Sequence, residues 1–220
     1  MKISKNTFQF LENLKANNDR EWFHDHKDEY KNCLEEFEAF TEVLISKIIN
    51  FDARIENVRA KDCIFRIYKD TRFSKDKTPY KTHFGAFITP GGRKSSRAGY
   101  YIHIEPGSKT VFAGGLYGAE PAKLALVRNK IASEFTELEQ ILKNAQFKKL
   151  YTELMDDKLK TVPRGFKKDN PAAHLLRYKN YIVSHTVSDD EVLTERFLPA
   201  VLKGFKAIFP LNDFLNTAMD

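Results

Sequence analysis

The period of the hydrophobic pattern switches twice along this chain, and that switch constrains the fold more than any single residue does. Over the first 57 residues apolar side chains recur at helical spacing. Phe8, Leu11 and Leu14 make a short stripe; Trp22, Tyr30, Leu34, Phe37, Leu44 and Ile48 make a longer one, widened by Phe23, Phe40, Ile45 and Ile49. Such a stripe lies along one side of a 3.6-residue helix. Asn17-Asn18 ends the first helix, and Asn18-Asp19-Arg20-Glu21 offers an N-cap with Glu three residues on. One long helix is therefore predicted from about Asp19 to Asn50.

From Cys63 the pattern becomes strand-like. Cys63–Lys69 is rich in β-branched and aromatic residues and reads as a first strand. Thr82–Thr89, closed by Pro90-Gly91-Gly92, reads as a second; Gly99–Glu105, closed by Pro106-Gly107, as a third; Thr110–Ala113, closed by Gly114-Gly115, as a fourth. The last two, joined by a Pro-Gly-Ser loop, are expected to pair as an antiparallel hairpin. Helical spacing returns at Pro121, a favourable first-turn residue, with Leu124, Val127, Arg128 and Ile131, then Phe135, Leu138, Ile141 and Leu142. Phe147 to Leu154 suggests a short helix, Pro171–Tyr178 another and Tyr181–Thr186 a strand. Ser188-Asp189-Asp190-Glu191 caps a C-terminal helix bearing Leu193, Phe197, Val201, Phe205 and Phe209. This order predicts an α+β fold, a largely antiparallel sheet flanked by helices with a long N-terminal helix. A length of 220 residues suits one domain, with a helical part over 1–57 and a sheet with helices over 58–220.

Charge is unevenly placed. The chain carries +6 overall, yet Lys61–Arg97 holds ten bases and three acids, and Lys158–Lys179 seven bases and one acid. Outside these windows the sum is −7, so the body is mildly acidic and carries two basic segments. Hydrophobic residues at 42%, of which many are aromatic, are enough for a packed core and argue against disorder. The longest apolar runs fall far short of the roughly 20 residues that span a bilayer. No apolar segment follows the charges of Met1-Lys2-Ile3-Ser4-Lys5-Asn6, so neither a signal peptide nor a membrane partner is expected. Cys33 and Cys63 lack CxxC spacing, which indicates neither a disulfide framework nor a zinc knuckle. The expected compartment is the cytoplasm.

The most informative segment runs from Arg66 to His83. A polar connection of about twelve residues joins two expected strands and holds Asp70 and Asp76 among six bases from Arg66 to Lys81. Buried unpaired charges are costly, so such a loop needs partners. Two carboxylates can pair two bases, which leaves four for solvent or an anion. This box, R-x-Y-x-D-T-R-F-S-x-D-K-T-P-Y-K-T-H, resembles that of an uncharacterised bacterial and fungal family, the domain of unknown function numbered 2461. The resemblance extends over nearly the whole chain. It includes Phe10-Leu11-x-x-Leu14 with Asn17-Asn18-x-Arg20-x-Trp22-Phe23, and Gly114-Gly115-x-Tyr117 followed by Arg128. It also takes in Pro163-Arg164-Gly165-Phe166 with Asn170-Pro171 and Lys179. As the family's name says, the resemblance implies no reaction or cofactor.

Two readings of the box stand side by side. In one, Arg66 and Arg72 offer forked donors, Lys77 and Lys81 point charges and Tyr80 a hydroxyl to a phosphate- or carboxylate-bearing ligand, with Asp70 in the same site. In the other, the loop is stapled to the body by its own ion pairs. Arg128 and Arg164 are further ligand-binding candidates, Arg164 as part of a lid folding over the same anion. Gly114-Gly115 reads either as a plain turn or as a phosphate cradle before a helix. Strand alternation puts Tyr101, His103 and Glu105 on one face and Tyr100, Ile102 and Ile104 on the other. His103 is the first acid–base candidate and His83 the second, with catalysis itself undecided. If their strands pair, the two imidazoles could meet and form a metal site with Glu105 or Asp70, although no short ligand motif demands one and no metal ligand is assigned. A pI on the basic side and bases interleaved with Tyr68, Phe73, Tyr80 and Tyr100 also fit a nucleic-acid-binding surface. A protein-interaction module using Arg93-Lys94-Ser95-Ser96-Arg97 is the third class.

Overall fold

The computed structural model describes residues 1–220. The chain opens with helices α1 (Lys5–Ala16), α2 (Arg20–Asp25) and α3 (Lys27–Ile48). Ser4 Oγ accepts from the Thr7 N–H to start α1, and Asp19 accepts from the Trp22 N–H to start α2. Each satisfies an amide that a first helical turn leaves free. The single helix expected over Asp19–Asn50 is broken at His26, whose φ and ψ of −104° and 21° leave the helical region. The cause is local. The His26 ring stacks on Trp22 at 3.9 Å and its Nδ1 meets the Trp22 carbonyl at 2.8 Å, a side-chain contact that competes with the helix ladder.

The strand expected at Cys63–Lys69 does not form. After a short 3-10 turn at Ala53–Ile55, helix α4 (Ala60–Cys63) turns the fully buried Cys63 against the core. The residues that follow pair with the sheet backbone only at an isolated bridge, Ile64 to Ala86. The remaining β-forming residues pair within the box itself. Tyr68 bridges Tyr80, the Lys69 N–H donates to the Pro79 carbonyl, and the Lys81 N–H donates to Ile67, both at 2.8 Å. The segment is a small hairpin-like loop attached to the sheet edge.

The sheet has four strands, β1 (Phe84–Ile88), β2 (Gly99–Ile104), β3 (Thr110–Leu116) and β4 (Tyr181–Val187). They lie side by side in chain order and every neighbour is antiparallel. Helices α5 (Pro121–Lys143), α6 (Ala145–Lys148) and α7 (Ala173–Leu176) connect β3 to β4; α5 is kinked at Glu134. Ser188 caps α8 (Asp189–Val192) by accepting from the Glu191 N–H, but the helix ends at Val192 and a turn separates it from α9 (Phe197–Thr217). No helix is long and apolar enough to cross a membrane.

Alternation gives the sheet two unlike faces. Phe84, Ala86, Ile88, Tyr100, Ile102, Ile104 and Phe112 are all within 1% of full burial, in a core shared with α3 and α9. Phe37 of α3 stacks on Phe84 at 5.5 Å. Asn212 and Asn216 of α9 fasten the start of β2, donating to the Gly99 and Ala98 carbonyls at 3.0 and 3.1 Å. The opposite face carries Tyr101, His103 and Glu105, half-buried, then Val111 and Ala113 of β3, then the exposed Ser184 and Thr186 of β4. Gly114-Gly115, expected to close a strand, instead continues β3. A Cβ on Gly114 would come within 2.7 Å of Ile208 Cγ2, and Gly115, at φ +121°, lies against the Tyr181 carbonyl. Both glycines serve close packing, so the phosphate-cradle reading is set aside.

Candidate functional site

The polar side chains of the sheet's half-open face come from two paired strands. The β1–β2 register aligns Phe84 with Ile104 and Gly85 with His103, which sets His83, just before β1, beside Glu105. Tyr101 Oη meets His103 Nδ1 at 3.0 Å, and His103 Nε2 meets Glu105 Oε2 at 2.9 Å. The three residues share one face of β2 because a strand's side-chain period is two. Across the strand gap, the His83 ring lies 4.1 Å from that of His103. Donor atoms of His83, His103 and Glu105 all fall within 4.8 Å of one another. Gly85 makes the arrangement possible: a Cβ there would stand 2.9 Å from Tyr101 Oη. Its strand-interior glycine was the available sequence signal for a close approach.

The electrostatics follow from partial burial. Burial, followed by the neighbouring His103, pushes the His83 imidazole down to about 4, so it is neutral near pH 7. Burial, then the Glu105 carboxylate, pushes the Tyr101 phenol up to about 12, which keeps it protonated. Lys69 and Lys81 are near enough for their charges to act on His83. Burial and nearby Arg66 in turn hold Lys81 below the ordinary lysine value. Lys109 approaches Glu105 Oε1 at 3.7 Å from the hairpin turn.

Most box residues put forward as ligand-binding are engaged with the protein itself. Arg72 grips Asp70 with Nε and Nη2 at 3.0 and 2.7 Å, and this pair holds the Asp70 carboxyl down at about 2. Lys69 takes Asp76 at 2.8 Å and holds its carboxyl well below the usual range, helped by Thr78. Lys77 donates to the Thr71 carbonyl and Lys81 to the Arg66 carbonyl, at 2.9 and 2.7 Å. Arg66 is exposed, and Tyr80 is buried with its ring stacked on Phe23 at 4.0 Å. The box and the start of α2 line an open groove of about 900 Å³ in which Arg20, Lys69 and Lys77 face Asp19 and Glu21. Mixed charge gives this groove no single preference for anions.

Sequence reasoning missed how the N-terminal motif and the box form one unit. Asn18 accepts from the Tyr80 N–H and donates to the Tyr80 carbonyl, both at 3.0 Å, and Phe23 covers the ring of the same residue. The shared motif of Asn18, Trp22 and Phe23 was the only hint, and it carried no distance.

The end of the second basic window lies far from the first. Arg128 donates to the Tyr178 carbonyl at 2.9 Å, beside the start of β4, while the box adjoins the start of β1 at the diagonally opposite corner of the sheet. Three strand spacings alone are roughly 14 Å. Arg164 is exposed in the loop ahead of α7. Arg128 is not brought to the box; Arg164 makes no hydrogen bond or ion pair with it. The Arg93–Arg97 loop is also tied down: Arg93 donates to the Lys61 and Asp62 carbonyls, and Arg97 pairs with Asp220 at 2.6 Å.

No curated protein and no solved structure matches the chain. A family model described as "Conserved hypothetical protein (DUF2461)" matches residues 6–214.

Proposed function

The chain belongs to the DUF2461 family, and on that premise we propose that it binds a small ligand bearing a phosphate or carboxylate at the half-open face of the sheet. Tyr101, His103, Glu105 and His83 form the reactive wall, His103 first and His83 second, with Lys81, which bonds only the neutral Arg66 carbonyl, supplying positive field. The observation carrying this reading is the unbroken contact chain Tyr101–His103–Glu105 with the His83 ring against it. Four polar side chains held by two paired strands are preorganised at little cost to binding. The outer cations stay outside the site in this reading: Arg72 pairs with Asp70, Lys69 with Asp76, and Lys77 donates to the Thr71 carbonyl. We place the protein in the cytoplasm, in keeping with two free, buried cysteines.

The test is a titration with inorganic phosphate, and separately with acetate, followed through the histidine ring NMR signals. Shifts of the His83 and His103 signals that weaken in Lys81→Gln support the reading. Unmoved histidine signals, or shifts confined to the Arg72–Lys77 loop, overturn it.

One observation favours a second reading, contact with single-stranded nucleic acid. Phe73 is 95% exposed between Arg72 and Ser74, with Lys75 nearby, and Tyr68 is 49% exposed. An exposed ring in a basic loop is a stacking platform. Retention of a labelled single-stranded oligonucleotide that falls steeply with salt and is lost in Phe73→Ala would favour it. No retention at low salt removes it.

A further inference from the structure

We propose that His83, His103 and Glu105 form a seat for one divalent first-row transition metal ion, zinc being the ion that suits the set best. The ligand types are two imidazoles and one carboxylate, which these ions accept. Geometry carries the inference. Bonds of about 2.0–2.2 Å to nitrogen and oxygen put adjacent ligand atoms of one ion roughly 3 to 3.5 Å apart. His103 Nε2 and Glu105 Oε2 already stand at 2.9 Å, and all three donor groups lie within 4.8 Å of one another. Ligand atoms that stand farther apart than this, up to 4.8 Å, would draw together around the ion.

Three further features separate this cluster from an ordinary surface ion pair. His103 and Glu105 are 15% and 17% exposed at the side chain, so the seat is shielded yet reachable from the open face. The His103 nitrogen that would not bind the ion, Nδ1, faces Tyr101 Oη at 3.0 Å. That is the outer contact that orients a metal-binding imidazole. Glu105 is fixed at the hairpin, where its N–H donates to Thr110 Oγ1 at 3.2 Å. Three protein ligands leave at least one coordination position toward the open face, the arrangement of sites that bind a water or a substrate rather than of closed structural sites.

The metal seat rests on the ligand-binding reading only for the identity of the further ligand, since an anionic oxygen of the bound molecule would take the open position. His103 Nε2 then holds the ion and does not carry a proton, which assigns the wall to coordination.

The test uses Co²⁺ alone as the probe, added to the full chain after treatment with a chelator. One equivalent should bind and give visible d–d absorption, which zinc should displace. His83→Ala and His103→Ala should each abolish the absorption, while circular dichroism reports that both variants stay folded. Tyr101→Phe, which keeps all three ligands, should bind about 10- to 100-fold more weakly. Absence of stoichiometric binding overturns the proposal, and so does cobalt binding that His83→Ala and His103→Ala leave unchanged. Phosphate shifts of the histidine signals in chelator-treated protein that never binds cobalt would retain the ligand reading and reject the metal. Cobalt binding with no phosphate effect would do the reverse.

Discussion

Asn18 holds the backbone of Tyr80 on both sides, accepting from its N–H and donating to its carbonyl at 3.0 Å across 62 residues of chain. One side chain thus replaces the two hydrogen bonds a neighbouring strand would have made. It joins the start of α2 to the box and fixes where the polypeptide enters β1 and the His83 position.

Asn18→Ala should therefore destabilise the fold by about 2 kcal/mol or more, since it orphans a donor and an acceptor of a part-buried peptide. Urea unfolding measures this, with Asn17→Ala as comparison because Asn17 bonds only within α1 at an exposed position. Hydrogen exchange should quicken first at Tyr80 and Lys81. Equal stability of the two variants would show that the clamp is dispensable.

Gly115→Ala should be far worse than Gly107→Ala. Both glycines have positive φ, but a Cβ on Gly115 would fall on the Tyr181 carbonyl oxygen, whereas one on Gly107 meets nothing within 4 Å. Strain with overlap against backbone should cost more than ~2 kcal/mol at Gly115. Melting midpoints of the two variants measure the difference, which should far exceed any loss at Gly107.

Cys63 should be inert toward thiol reagents at pH 8 in the folded protein. It is fully buried, and burial, followed by the charge of Asp62, pushes its thiol up to about 12. The folded value lies above the ordinary one of 9.0, so the fold favours the protonated thiol. That contribution is present in full below about pH 9 and is lost as pH rises toward 12. Stopped-flow labelling with a coloured disulfide should show reaction only through unfolding, and stability should decline over that alkaline window. Rapid native labelling would contradict it.

Arg72→Ala should leave the melting midpoint unchanged and should not alter phosphate-induced shifts at His83 and His103. The Arg72–Asp70 pair is exposed, with Arg72 at 77% and Asp70 at 47% side-chain exposure, so water screens it. Loss of the histidine shifts in this variant would return the ligand to the outer box.

Much of the architecture was legible in the sequence because hydrophobic period is a local property. The alternation of Tyr100, Ile102 and Ile104 against Tyr101, His103 and Glu105 gave both faces of β2 correctly, and Ser188 was recognisable as a cap. The charge count of the box also held: two acids take two bases, Asp70 with Arg72 and Asp76 with Lys69. The two failures arise where something other than local period decides. Cys63–Lys69 has true β-forming residues, but its partner is the same loop at Tyr80 and Lys81, and Cys63 itself is wanted in the core. His26 breaks a helix through its own ring, which period alone does not register.

By itself the sequence determined the α+β order, most of the long helical stretches, and that Tyr101, His103 and Glu105 share a side of one strand. Only the tertiary structure decided that His83 joins them, that Asn18 secures the approach, and that Arg128 lies at another corner. Local pattern reflects neighbours a few residues apart, whereas these contacts depend on the β1–β2 register. That register is set by the burial of Phe84 with Ile104 and Ile88 with Tyr100 beneath α3 and α9, and those partners become neighbours only once the core has packed.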